Sequence, residues 1–529
     1  MKHTKMTALL CAMVLSGFVP SFAAPPAGDT PLDPYRAAVE KMKELEKAKN
    51  ESPVKSETVS PGASTAKEVN YTDALLRGLD LTVADVQASV EAGTFKNLSP
   101  EAPAPKVTEP VNVPEPAPLP ETETAPEEEK APEVKKTEVE QGTAAAQLDT
   151  DGAYDDGTYA SSKEDENALR VPMAYITAKN AKITKSGDST QAESSKLYGL
   201  NAALLATHGG RASLTGADIS SEGTGASGAY GYAKSTYINL TDSKVRTAGN
   251  HAAGVSISMK AMMKTVNTEV STSGDFSPAI AVRDGGGIFI AENGIFSTTG
   301  LRSHGIYSKG DVTVTNAIVK ASQTKAAVLK GNNTITLINS TLEGNEISDM
   351  IPHNIVLFSK EDDIGTMGTQ YIEAKHSTLI AHKGDMFHVT ATHGKIMLSD
   401  TDLIKHDESA PLITITGNDG ADGWGTPGGN GGHLELICDN QTLSGDIIVD
   451  SISNINLNLR NNSTYTGAIK IVPNAENGTP YKTNADVFIA AGSTWNLTGD
   501  TELTSLYNLG KINYNGYTIT LADGTVMKE

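Results

Sequence analysis

The residues best suited to chemistry in this chain are acidic. Asp362 and Asp363 stand side by side in "KEDDIG", and Asp400 and Asp402 stand two apart in "LSDTDL". Glycoside hydrolysis needs two carboxyl groups flanking the scissile bond, one to give a proton and one to attack or to activate water. Residues two apart point to the same side of a strand, so Asp400 and Asp402 are expected to share an exposed strand face. These four aspartates are the candidate catalytic groups of a carbohydrate-active enzyme. The competing reading makes them solvated corner residues, and it is preferred because no recognisable catalytic signature accompanies them.

Three further groups of residues bear on binding. His376, His382, His388, His393 and His406 gather in one stretch, where stacking of neighbouring segments would bring two or three within reach of a metal ion. No His-Glu-x-x-His spacing supports that, so exposed polar positions are the simpler account. "TGNDGADGWGTPGGNGGH" places Asp419 and Asp422 among glycines, an imperfect single copy of a calcium-binding Gly-Asp repeat. Calcium is the only cofactor this suggests, and a protruding loop carrying Trp424 is the alternative. "AYGYAKSTYINL" clusters Tyr230, Tyr232 and Tyr237, whose rings would suit stacking on sugars.

Repetition supplies the framework that positions such groups. A polar corner followed by one apolar residue recurs as "GADISSEG" at Ile219, "DSKVRTAG" at Val245, "NTEVSTSG" at Val270, "ENGIFSTTG" at Ile295, "TNAIVKAS" at Ile318 and "NSTLEG" at Leu342. The spacing is about 24 residues. Later copies carry Leu379, Leu403, Leu443, Tyr465 and Trp495. An alternating strand precedes each corner, with Ile238 and Leu240 or Ile335 and Leu337 inward, and a third short strand follows. Three short strands per period are the economy of a parallel β-helix, in which each strand pairs with its equivalent one coil above and below. Propeller blades need about 40 residues, and sandwiches need hairpin turns such as Asn-Gly between adjacent strands; the period is too short for the first and the corners too evenly repeated for the second. Ile288 and Ile290 are expected to stack beneath Val312 and Val314, and Ile295 beneath Ile318, so that Ile290→Asp would bury an unpaired charge.

Composition agrees with an extended all-β chain. The protein has 529 residues, 49 glycines and 5% aromatic residues. Its net charge of −21 speaks against nucleic acid or an anionic membrane as partner, since phosphate binding needs a basic face. Residues 1–24 read as a secretion signal, with Lys2 and Lys5 before a short apolar run and small residues at the cleavage position. Loss of Cys11 with that signal leaves Cys438 alone, so no internal disulfide is expected. Residues 31–98 read as short helices that would contact a cell-envelope component or form a stalk. Residues 99–145 are rich in Pro and Glu and read as a disordered, extended linker able to reach on the order of 100 Å. Residues 146–170 read as an acidic flexible bridge, and residues 171–529 as the β-helix. No span of about 18 apolar residues follows the signal, so no membrane-crossing helix is expected.

These Gly-, Ser- and Asn-cornered coils resemble the right-handed parallel β-helix of bacterial surface proteins, the pectin-lyase-like fold of autotransporter passengers and adhesins. The stretch "VFIAAGSTWNLTGDTELTSLYNLGKINYNGYTITL" is similar to the terminal rungs of such passengers. No membrane barrel follows it, so self-export is not expected. The resemblance implies an extracellular or cell-surface protein that binds a host protein, a matrix protein or a glycan. A β-helix polysaccharide lyase or glycoside hydrolase is the alternative. Against it, the Asn-Thr-Asp, Gly-His-Gly and Arg-Ile-Lys signatures of polygalacturonases are missing, and "THGG" at His208 and "THGK" at His393 are partial echoes.

Overall fold

The computed structural model describes residues 141–359, 369–417, 427–481 and 484–529, all within the unit Lys136–Glu529. The expected signal, helical segment and most of the linker lie outside the described residues. So do Asp362, Asp363, Asp419, Asp422 and Trp424.

Strands in this unit follow one another in a fixed cycle through three parallel sheets. The first sheet has 13 strands, from Thr143–Gln147 to Ile469–Val472; the second has 14, from Gly152–Ala153 to Ser505–Asn508. The third has 10, from Thr158–Ser161 to Asp402–Lys405, and a four-stranded sheet from Thr442–Ser444 to Lys511–Asn513 then takes its place in the cycle. Within each of these sheets an inner strand pairs in parallel with the strands three before and three after it, as Tyr237–Thr241 does with Arg211–Thr215 and Ala261–Val266. This is a parallel β-helix. At about 4.8 Å per step, the second sheet runs for on the order of 60 Å. The first coil is built from residues 143–161, within the stretches that read from sequence as linker and acidic bridge. Among the described residues no helix is long and apolar enough to cross a membrane.

The corner between second and third sheets explains the polar phrases. It holds two residues, and the first has left-handed backbone geometry: φ is 50° at Asp242, 49° at Asn267, 54° at Asn293, 52° at Asn316 and 49° at Asn339. Asn and Asp tolerate that region better than other side chains bearing a Cβ. Where the second corner residue is a serine, its hydroxyl turns inward and accepts from the backbone of the neighbouring coil. Ala317 N donates to Ser340 Oγ at 3.2 Å, and Ser340 N donates to Ser377 Oγ at 3.2 Å. Buried polar groups are thereby paired along the stack.

One continuous apolar core runs from Ala168 to Ile519. Ile238, Leu240, Ile335 and Leu337 face into it as expected. The register at the third expected pair is shifted by one residue. Phe289 pairs with Val312 and Ala291 with Val314, all inward, while Ile288 pairs with Asp311 and is 41% exposed. Ile295 does pair with Ile318, but both face solvent; Phe296 and Val319 fill the interior. Both alternations of "GIFIAENGIF" are apolar, so polarity does not select a face there. The two phenylalanines meet edge to face inside, with ring centroids 6.2 Å apart. A Cβ on Gly294 would come within 2.7 Å of the Phe296 ring, so only glycine admits that ring. At the C-terminal end Tyr465 stacks on Trp495 at 5.6 Å, and Ile519–Leu521 turns back antiparallel with Val526–Met527. The antiparallel pair covers part of an open sheet edge.

Candidate functional site

Neighbouring coils bring together side chains that are far apart in the chain. "PHNIVLF" and "GDMFHVT" both alternate in strand fashion and form adjacent strands of the first sheet, His353–Phe358 and Asp385–Thr390, with His353 in register with Asp385. His353 Nδ1 lies 3.0 Å from Asp385 Oδ1 and 2.9 Å from Oδ2. The Asp385 side chain is only 2% exposed, and burial pushes its carboxyl above the usual range. His388 stacks on His353 with centroids 3.9 Å apart and rings within 15° of parallel. Its Nδ1 is buried and has no hydrogen-bond partner. Burial, with the neighbouring His353 and Lys325, holds His388 well below the usual imidazole range, so it is neutral. One ligand atom from each of the three residues lies within 4.8 Å of the other two.

A charged cluster flanks this trio. Lys325 binds Glu346 at 3.0 Å and also pairs with Asp349. Burial alone would raise the Glu346 carboxyl, yet Lys325 and Ser348 hold it down to about 2. His304 hydrogen-bonds Thr324 at 3.2 Å, and burial together with Lys325 lowers it to about 3.

Two hollows open elsewhere on the coils. One, of about 250 Å³, lies at the N-terminal ends of successive strands in the second sheet and is lined by Thr369, His393, Lys395, His433, Glu435 and Asn456 among others. His393 and His433 stack at 4.6 Å, and Tyr481 lies 5.7 Å beyond. Lys395 holds Glu435 at 3.0 Å. The other hollow, of about 330 Å³, is lined by Lys260, Asp284, Lys309 and Lys330 with Gly285, Gly286 and Gly331. Lys309 is paired with Asp284 there.

Of the aspartates singled out from sequence, the described pair Asp400 and Asp402 does not share the strand face expected of it. Asp400 is a corner residue with φ of 45°, not a strand residue, and it receives His376 at 2.9 Å. Asp402 begins the strand Asp402–Lys405 beside Thr378 and is exposed. They therefore share no strand face, because a left-handed corner separates them. Tyr230 is also unavailable for surface stacking. The helix Ala192–Tyr198 lies over it, its hydroxyl donates to Lys196 O at 2.9 Å, and it is 0% exposed. Tyr232 is 8% exposed and packs edge-on against Tyr198. Tyr237 is half-buried on the second sheet between Arg211 and Met262.

The histidine stretch does stack, in separate pairs. His382 meets His406 at 4.7 Å, His393 meets His433, His388 meets His353, and His376 meets Asp400. His353 and Asp385 escaped the sequence reading because they come together only once the coil register is known. Comparison with protein-family models, with curated proteins and with solved structures gives no match for this chain.

Proposed function

We propose that this chain is an exported surface protein of adhesin type, whose β-helix offers a lateral face to an extended glycan. The observation that carries the reading is the hollow at His393 and His433. His393, His433 and Asn454 stand in register on three successive coils there, as do Lys395, Glu435 and Asn456, at steps of about 4.8 Å. A repeating array of hydrogen-bonding and stacking groups favours a ligand that is itself extended and repetitive. Stacked rings supply flat surface, and Asn454 and Asn456 supply both donors and acceptors. Among the described residues Glu435 is the one carboxylate lining the hollow, and Lys395 pairs with it. With its carboxylate paired to Lys395, that arrangement suits holding a sugar chain.

The finer reading places the protein among right-handed β-helices of bacterial surfaces. Parallel crossovers within a sheet are right-handed in about 98% of cases, which favours that hand. The basic and apolar N-terminal residues support export, and the Pro/Glu-rich stretch supports display at a distance from the cell.

A glycan array probed with the full chain tests this. Retention of a polysaccharide, weakened at least about tenfold in His433→Ala and Asn456→Ala with melting temperature unchanged, is the expected result. No retained glycan, equal retention by both variants, or release of new reducing ends from the polysaccharide would overturn it. Surface location is checked separately by protease accessibility on intact producing cells, where protection of the chain would count against display.

A further inference from the structure

We infer that His353, Asp385 and His388 form a binding site for a divalent transition metal of the zinc type, assembled by two adjacent coils of the first sheet. The donor set is two imidazole nitrogens and one carboxylate, which is the composition of three-ligand sites that keep a fourth position open. Calcium and magnesium are disfavoured, because they take six or more oxygen ligands and this trio offers one carboxylate.

Geometry and burial support the assignment independently. Ligand atoms around a tetrahedral zinc lie about 3.4 Å apart, given bonds of about 2.0 to 2.2 Å. The His353–Asp385 contact is already 2.9 Å, and all three ligand atoms fall within 4.8 Å. Closing on a metal therefore asks for shifts of at most about 1.5 Å, which rotation of the His388 ring about its broad χ2 torsion supplies. That rotation opens the present stack so that both imidazole lone pairs converge. His388 Nδ1 is a buried acceptor with no partner, a state that is costly in an ordinary core and that a metal ion relieves. Thr414 stands in register with His388 on the next coil, placed to serve as an outer partner of the site. The nearby cation, Lys325, is already engaged by Glu346 and Asp349, so its charge is largely countered.

The test uses the full chain, stripped with a chelator and then titrated with Co2+ followed by visible absorption, and with Zn2+ by calorimetry. One Co2+ per chain, d–d bands of tetrahedral intensity and displacement by Zn2+ are expected. Loss of a ligand in His388→Ala or Asp385→Asn should weaken binding by more than the roughly 10- to 100-fold typical of losing an outer partner. His406→Ala, from a histidine pair outside the trio, should bind as the parent does. Circular dichroism confirms that each variant is folded, and His388→Gln serves if Asp385→Asn is not. The inference is overturned if the parent takes up no Co2+ or Zn2+ at micromolar concentration, if His388→Ala or His388→Gln binds unchanged, or if His406→Ala alone abolishes binding. The glycan hollow is a separate site, so either result leaves the array experiment independent.

Discussion

Single residues carry sharply different weights in this chain, and the interior of the coil decides which. Phe289 is 0% exposed and contacts Phe296, whereas its neighbour Ile288 is 41% exposed. Phe289→Ala should therefore cost about 3 to 5 kcal/mol, and Ile288→Ala no more than about 0.5 to 1 kcal/mol, in urea unfolding. Equal losses would show that the strand sits in the other register. His304 gives a pH signature of its own. Its imidazole is held to about 3 by burial and by Lys325, against about 6.5 in an unfolded chain. The unfolded state thus binds a proton that the folded state refuses between those values, so stability falls as pH drops below about 6.5 and levels off near 3. Glu346 acts in the same direction over a lower window, losing its contribution as pH falls from about 4.5 toward 2. Melting temperatures measured from pH 7 to pH 4 should decline, and His304→Gln should flatten the upper part of that decline. An unchanged slope in the variant would remove His304 from this account.

Elements here are too short to be stable alone, and the corners fix how they stack. Strands of four residues, such as Lys244–Thr247 and Glu269–Thr272, gain their pairing partners only from adjacent coils. The left-handed corner residue and the inward hydroxyl after it keep those coils in register. Asn316→Val should lose about 1 to 3 kcal/mol, because a β-branched residue is strained at φ of 52° and because Asn316 Oδ1 no longer accepts from Asn339 Nδ2, now 3.2 Å away. Asn316→Gly, which keeps the backbone freedom, should recover most of that loss in the same melting experiment. These corners were legible in the sequence, since "TDSKV", "VNTEV" and "INSTL" repeat one chemical pattern. The helix Ala192–Tyr198 was not. It has seven residues, its N-cap Gln191 makes no side-chain cap bond, and it is stabilised by what it covers, Tyr230 and Leu205.

At the scale of the whole β-helix, each coil contacts its neighbours and little else, so damage should stay local. Phe289→Asp places a charge in the core and should strip hydrogen-exchange protection from residues of roughly the adjacent coils, 255–320, while leaving residues 447–497 protected. Ile290→Asp, on the outer face, should leave both regions protected, contrary to what the sequence pattern alone suggests. Loss of protection along the entire stack would instead indicate one cooperative unit. The sequence by itself determined the architecture, because a period of about 24 residues with three strand phrases admits few ways to bury its apolar rows. It also determined most inward positions wherever one alternation is polar, as at Ile238 and Leu240. Only the tertiary structure decided which face of "GIFIA" turns inward, that Tyr230 lies under a helix, and that Asp400 and Asp402 stand on different elements. It alone joined His353 to Asp385 and His388, 32 residues apart in the case of the first pair. The physical reason is that a β-helix turns sequence distance into adjacency through its coil register, and the register depends on loop lengths between strands that no local pattern of polarity records.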